Sequence, residues 1–154
     1  MAVYFLDTSA LVKRHVTETG SAWVRSLTGA KSAHTLFIAR ITAVEVFAAI
    51  TRRQRGRSLT AAQAGAILGH FRRHLTQRYI VVEVTPSLVA DAMLLARKHG
   101  LRAYDAVQLA AALEADRIYR TAGLGQVTLI SADQELNAAA VASGLTTDDP
   151  NTQR

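Results

Sequence analysis

The sequence predicts an α/β layered fold, with a mainly parallel central sheet covered by helices on both faces. Three observations predict it. Short β-rich apolar runs alternate along the chain with longer helical stretches, the order that parallel strands joined by helical crossovers require. Alanine and leucine dominate while aromatic residues make up only 6%, which favours helices over an all-β sandwich. The 154 residues are 49% hydrophobic and 19% charged, the make-up of one ordered domain spanning 1–154 that buries its own core. No internal repeat, low-complexity segment or long linker divides the chain.

The elements follow in order. Val3-Tyr4-Phe5-Leu6 is a short β-rich run and reads as a buried strand. Asp7-Thr8-Ser9 ends it with residues that cap helices, and a short helix is predicted over Ala10–His15. A second helix is predicted over Ser21–Leu27, stopping at Gly29, and Leu36-Phe37-Ile38 is a weaker strand. Thr42 to Arg53 reads as a helix, its Thr42-Ala43-Val44-Glu45 start matching a capping box. A basic connection containing Gly56 leads to the longest helix, Thr60–Gln77. Tyr79–Val84 is β-branched with little alternation and reads as a buried strand. Pro86 marks a helix start, and Ser87–His99 carries that helix to Gly100. Ala103–Ala115 is a nearly apolar helix, Val127–Ile130 a strand and Ala132–Ala142 a helix ending near Gly144. The polar tail from Thr146 adds at most one short strand.

Composition narrows the function. There is no cysteine, so disulfides and thiolate zinc sites are excluded. The N-terminal segment MAVYFLDTSALVKRH lacks the pattern of a signal peptide, and no apolar stretch approaches the roughly 18 residues of a membrane span. The expectation is a cytoplasmic protein with no membrane association. A net charge of +6 and a pI near 10.3 suit a polyanionic partner, nucleic acid first.

Four of the 12 acidic residues stand where chemistry is expected. Asp7 ends the first strand, and Asp133 follows the Val127–Ile130 strand with two residues between. Ligands of open α/β sheets bind just beyond the carboxyl ends of the strands, so both should face one crevice. Glu45 and Asp105 each lie near the first turn of a helix, and Asp105 is set in the apolar run Leu101-Arg102-Ala103-Tyr104-Asp105-Ala106-Val107-Gln108-Leu109. A carboxylate there is costly to bury unless it is paired or metal-bound. Each also has a plain structural reading: Asp7 and Asp133 as helix caps, Glu45 as a capping-box partner, Asp105 as a charge at the positive end of a helix.

The chain resembles the PIN-domain nucleases, and within them the VapC-like toxins of toxin–antitoxin pairs. The resemblance rests on Tyr4-Phe5-Leu6-Asp7-Thr8-Ser9-Ala10-Leu11-Val12-Lys13, Ile41-Thr42-Ala43-Val44-Glu45-Val46, Tyr104-Asp105-Ala106-Val107-Gln108-Leu109-Ala110 and Leu129-Ile130-Ser131-Ala132-Asp133, in the family's order and across nearly the whole chain. Serine stands at 131, where threonine is also common in the family. The resemblance implies a three-layer α/β/α fold and an endoribonuclease that hydrolyses RNA phosphodiester bonds with Mg2+ or Mn2+. It also implies a cognate antitoxin and a homodimer.

Four adjacent carboxylates repel one another, and a hard divalent cation with oxygen ligands relieves that repulsion. Asp7 and Asp105 are expected to bind metal most directly, Asp133 a metal or its water, and Glu45 a metal or the attacking water. Thr8, Ser9 and Ser131 are candidates to hydrogen-bond those ligands, or simply to cap helices. Lys13, Arg14, Arg52, Arg53 and Arg102 are candidate RNA contacts, as solvated charges are the alternative at each. Arg102, three residues before Asp105, is placed to pair with it or touch substrate. His70 and His74, at i and i+4, lack a third ligand and are expected on a solvated helix face.

Two other functions compete. A housekeeping PIN nuclease would process RNA without an antitoxin. A receiver-like signalling module would use a similar acidic magnesium pocket, but it would need a lysine late in the chain, and none follows Lys98.

Overall fold

A computed structural model describes residues 1–153. Strand β1 spans Val3–Leu6, β2 Thr35–Ala39, β3 Ile80–Val82, β4 Thr128–Ile130 and β5 Thr146–Asp148. Helices α1 (Thr8–His15) and α2 (Ser21–Thr28) connect β1 to β2, and α3 (Thr42–Arg55) and α4 (Ala61–Gln77) connect β2 to β3. Helices α5 (Pro86–His99) and α6 (Ala103–Thr121) lead to β4, and α7 (Gln134–Ala142) to β5. The sheet order is β3-β2-β1-β4-β5, and every pairing is parallel.

The two-residue period of the strands sorts the core onto two faces. Phe5, Phe37 and Leu129 join a cluster with α5, α6 and α7, built around Leu88, Leu109 and Leu136. Their neighbours Leu6, Ile38 and Ile130 face the other way, onto Leu11, Val46, Ile50 and Phe71 of α1, α3 and α4. Alternate residues thus feed two apolar layers, the pattern of a sheet buried on both sides. Trp23 packs at the border of the second layer, and Tyr4 stands edge-on to His34 at 5.1 Å.

Three sequence expectations change. The strand expected over Tyr79–Val84 shrinks to Ile80–Val82 and lies at the sheet edge, with Ile80 half exposed, because it pairs with β2 alone. The nearly apolar helix continues past Ala115 to Thr121. The capping box expected at Thr42–Glu45 does not form: Ile41 starts α3 without a side-chain cap. The box sits one helix later, where Thr60 and Gln63 exchange side-chain and backbone bonds.

The first two crossovers move outward from β1 on one side, and the later ones build β4 and β5 on the other. The strand order therefore reverses between β1 and β4. That is the switch point of the sheet, where a crevice opens beyond the strand ends.

Candidate functional site

At this switch point lies a crevice of about 370 Å³ lined by Asp7, Glu45, Asp105 and Asp133. The structure brings together all four sequence-predicted carboxylates. Two come from the strand ends and two from the first turns of α3 and α6.

Asp7 is the most constrained. It is 4% exposed and caps α1, its Oδ1 accepting from Ala10 N at 3.0 Å and Ser9 Oγ at 2.7 Å. Its Oδ2 accepts from Ser131 Oγ at 2.9 Å. The cap reading of Asp7 holds, and the same carboxylate lines the crevice. Burial pushes its carboxyl up to about 6; the bonds from Ala10, Ser9 and Ser131 oppose this, and the charge on Glu45 adds to it.

Ser9 and Ser131 join the ends of β1 and β4. Ser9 Oγ accepts from Ala132 N at 2.9 Å, and Ser131 Oγ accepts from Asp133 N at 3.0 Å. These two hydroxyls thus fix the backbone that presents Asp133 while they hold Asp7. Asp133 in turn caps α7 through Leu136 N at 2.9 Å.

Gln108 was not singled out from the sequence. Three residues after Asp105 on α6, it is 2% exposed, and its Nε2 donates to Glu45 Oε1 at 2.8 Å, Thr42 Oγ1 at 2.9 Å and Thr8 Oγ1 at 3.3 Å. This is where the Thr42 hydroxyl goes instead of a cap. The available signal was a lone amide in an apolar helix, on the face that carries Asp105.

Arg102 stands between the other two carboxylates. Its Nε donates to Asp105 Oδ2 at 3.1 Å and its Nη2 to Asp133 Oδ2 at 3.3 Å. Burial raises the Asp105 carboxyl above its ordinary value; the Arg102 bond opposes the rise, and Asp133 adds to it.

The basic candidates divide. Lys13, Arg52 and Arg53 line the same crevice as the carboxylates. Lys13 is buried and reaches Glu18 Oε1 at 3.2 Å and Thr19 O at 2.9 Å, while Arg53 reaches the other Glu18 oxygen at 3.4 Å. Glu18, also unremarked in the sequence, therefore anchors this flank. Arg14 instead lines a different cavity with His15, Arg25 and His70, and is not a crevice residue.

The donor set suits a hard divalent cation. Every crevice carboxylate offers oxygen, and Gln108 Oε1 is buried there without a hydrogen-bond partner. Among the described residues no three acidic or imidazole groups already converge as a ligand set. The Arg102 guanidinium supplies the positive charge between two of them. Also among these residues, no helix is long and apolar enough to cross a membrane.

Structural neighbours share this fold across nearly their whole length. A protein from Pyrobaculum aerophilum is 22% identical, with 98% of this chain and 91% of that one aligned at a TM-score of 0.64. The Mycobacterium tuberculosis toxin VapC20, which cleaves the sarcin–ricin loop, is 18% identical over 93% of this chain and 96% of that one, at 0.63. A chain of the Rickettsia felis VapBC2 complex, bound to a promoter DNA fragment, is 15% identical over 96% and 98%, at 0.62. No curated protein matches the sequence. The four carboxylates, Ser9, Ser131 and Gln108 all fall within residues 4–142, the stretch that matches the PIN domain family, and to that family the chain belongs.

Proposed function

We propose that the chain is a Mg2+- or Mn2+-dependent endoribonuclease acting as the toxin of a toxin–antitoxin pair. The observation that carries this reading is the convergence of Asp7, Glu45, Asp105 and Asp133 on one crevice with a basic flank. Asp7, Asp105 and Asp133 would hold the cation, with Glu45 beside them. When bound, it supplies Lewis acidity toward water and the phosphate oxygens.

The chain's own groups do the rest. Ser9, Ser131 and Ala10 N hold the Asp7 carboxylate in one orientation. Gln108 aims one oxygen of Glu45, leaving the other to orient a water for in-line attack. Lys13, Arg52 and Arg53 draw the RNA backbone to the crevice, a contact that gives affinity without reading sequence. RNA as substrate is supported by VapC20, which acts on the sarcin–ricin loop. An antitoxin partner is supported by the VapBC2 complex. A homodimer in the cytoplasm completes the proposal.

Purified protein incubated with RNA and DNA oligonucleotides, with each metal or chelator, tests the reading. RNA cleavage that needs metal and falls at least about a thousandfold in Asp7→Asn is expected. Equal cleavage by Asp7→Asn would sink the site. Coexpression with the product of a neighbouring short DNA-binding gene should suppress cleavage, and persistence of activity would remove the toxin reading.

A further inference from the structure

A second cavity, of about 510 Å³, lies where the C-terminal ends of α1 and α2 meet α4, lined by Arg14, His15, Arg25, Gly29, Ile67 and His70. We propose that it is a phosphate site, with Arg14 and Arg25 supplying the charge and His15 and His70 further donors. This goes beyond the nuclease reading and does not depend on it.

The cations here are held by neutral oxygens. Arg14 Nη1 donates to Thr28 Oγ1. Arg25 Nε donates to Arg14 O at 3.0 Å and its Nη2 to Thr17 Oγ1 at 2.9 Å. Neither guanidinium meets a carboxylate among the described residues, whereas Lys13, Arg53, Arg102 and Arg120 all do. No acidic side chain lines the cavity.

The helix ends do not balance this charge. Each helix C-terminus carries only about half a negative charge. Two helix ends against two guanidinium groups leave roughly one positive charge uncompensated. Arg14 Nε and His15 Nε2 are also buried without hydrogen-bond partners. An unpaired buried donor such as Arg14 Nε is unfavourable, and an oxyanion accepting from it would relieve it.

Burial, and after it the same excess of positive charge, lowers the imidazoles. His15 is pushed down to about 4 by burial and by Arg14, His70, His74 and Arg25. His70 is lowered by burial, Arg14 and Arg73, and His74 to about 4 by burial, His70, Arg14, Arg78 and Arg73. No carboxylate opposes any of these shifts. A bound phosphate would offset the arginine charges, so His15 and His70 should bind protons more readily once it is in place.

Imidazole NMR of the chelator-treated protein at fixed ionic strength tests this, with inorganic phosphate and an RNA oligonucleotide as separate titrants. Saturable movement of the His15 and His70 resonances is expected, with their titration midpoints rising by about one pH unit. Arg25→Gln, at an exposed position, should raise the half-saturating concentration roughly tenfold. Movement with both titrants assigns the site to backbone phosphate, and movement with inorganic phosphate alone assigns it to the free anion. Either result supports the proposal. No movement beyond a sodium chloride control, or binding unchanged in both Arg14→Gln and Arg25→Gln, overturns it.

Discussion

Asp7 and His15 stand at the two ends of one short helix, α1. The helix dipole favours a negative charge at the first and a positive charge at the second. Both groups are nevertheless driven toward neutrality, Asp7 up to about 6 and His15 down to about 4. Burial and like-charged neighbours outweigh the dipole at either end. The ends differ in what surrounds them. Ser9, Ser131, Gln108 and Arg102 donate to the acidic end, each at a defined distance. The basic end has guanidinium groups with no acidic partner among the described residues. The carboxylates of the acidic end are thus each held in one orientation, while Arg14 and Arg25 at the basic end are held by neutral oxygens alone.

The largest stability effect expected follows from neutralising each end in turn. Asp7 binds its proton more tightly in the folded chain than its ordinary value of 3.8 implies. Its contribution is therefore present below pH 3.8 and lost as pH rises through about 6. In metal-free protein at pH 7, Asp7→Asn should stabilise by on the order of 1–3 kcal/mol, a gain that disappears near pH 4. His15 and His74 run the opposite way. Their protons bind first to the unfolded chain, so stability is lost as pH falls from 6.5 toward about 4. Three lowered imidazoles, His15, His70 and His74, stand against two raised carboxylates, Asp7 and Asp105, and net acid destabilisation is expected across that interval. His15→Phe should flatten the profile at pH 5 and leave it nearly unchanged at pH 8, whereas Asp7→Asn should steepen it. Urea denaturation of the chelated proteins at several pH values checks both, and parallel profiles for all three would break the comparison.

The acidic end was largely legible in the sequence because its residues sit at element boundaries. Asp7 and Asp133 follow strands, and Glu45 and Asp105 start helices, so motif and topology point to the same place. Ser9 and Ser131 were legible too, although not as a clamp between two strand ends. What could not be read was tertiary. Gln108 matters because the N-terminal ends of α6 and α3, which lie on opposite faces of the sheet, meet beyond the strand ends, bringing an amide to Thr42 and Glu45 that lie more than sixty residues away in the chain. Thr42 looked like a cap by spacing, but its hydroxyl is taken up by that amide. The basic end was hidden for the same reason. His70 and His74 looked like a solvated pair, yet they are partly buried, with their rings 4.1 Å apart and His15 at 5.6 Å from His70.

Gln108 tests whether the donors at the acidic end position its carboxylates or merely fill space. Gln108→Leu keeps the volume near that of the amide and removes the bond to Glu45. RNA cleavage should fall between about tenfold and a hundredfold, the range typical when a ligand loses its orienting partner. The loss should appear in kcat, because the Lys13, Arg52 and Arg53 flank is untouched. A rise in KM alone would mean that Gln108 shapes the RNA path instead.

Arg102 makes the sharpest distinction between the two ends, because it is the cation hydrogen-bonded to two of the crevice carboxylates. Its side chain is 77% exposed, so neither bond to Asp105 nor Asp133 contributes much stability. Those bonds nevertheless occupy one oxygen of each carboxylate. A divalent ion bound as proposed would displace the guanidinium or share the carboxylates with it. Arg102→Gln should therefore bind Mn2+ more tightly, by up to about tenfold in calorimetry at pH 7, with little change in thermal stability. Weaker binding in that variant would show that the guanidinium holds the two carboxylates apart in a geometry the metal uses. The acidic end would then be prearranged by Arg102 rather than merely neutralised by it.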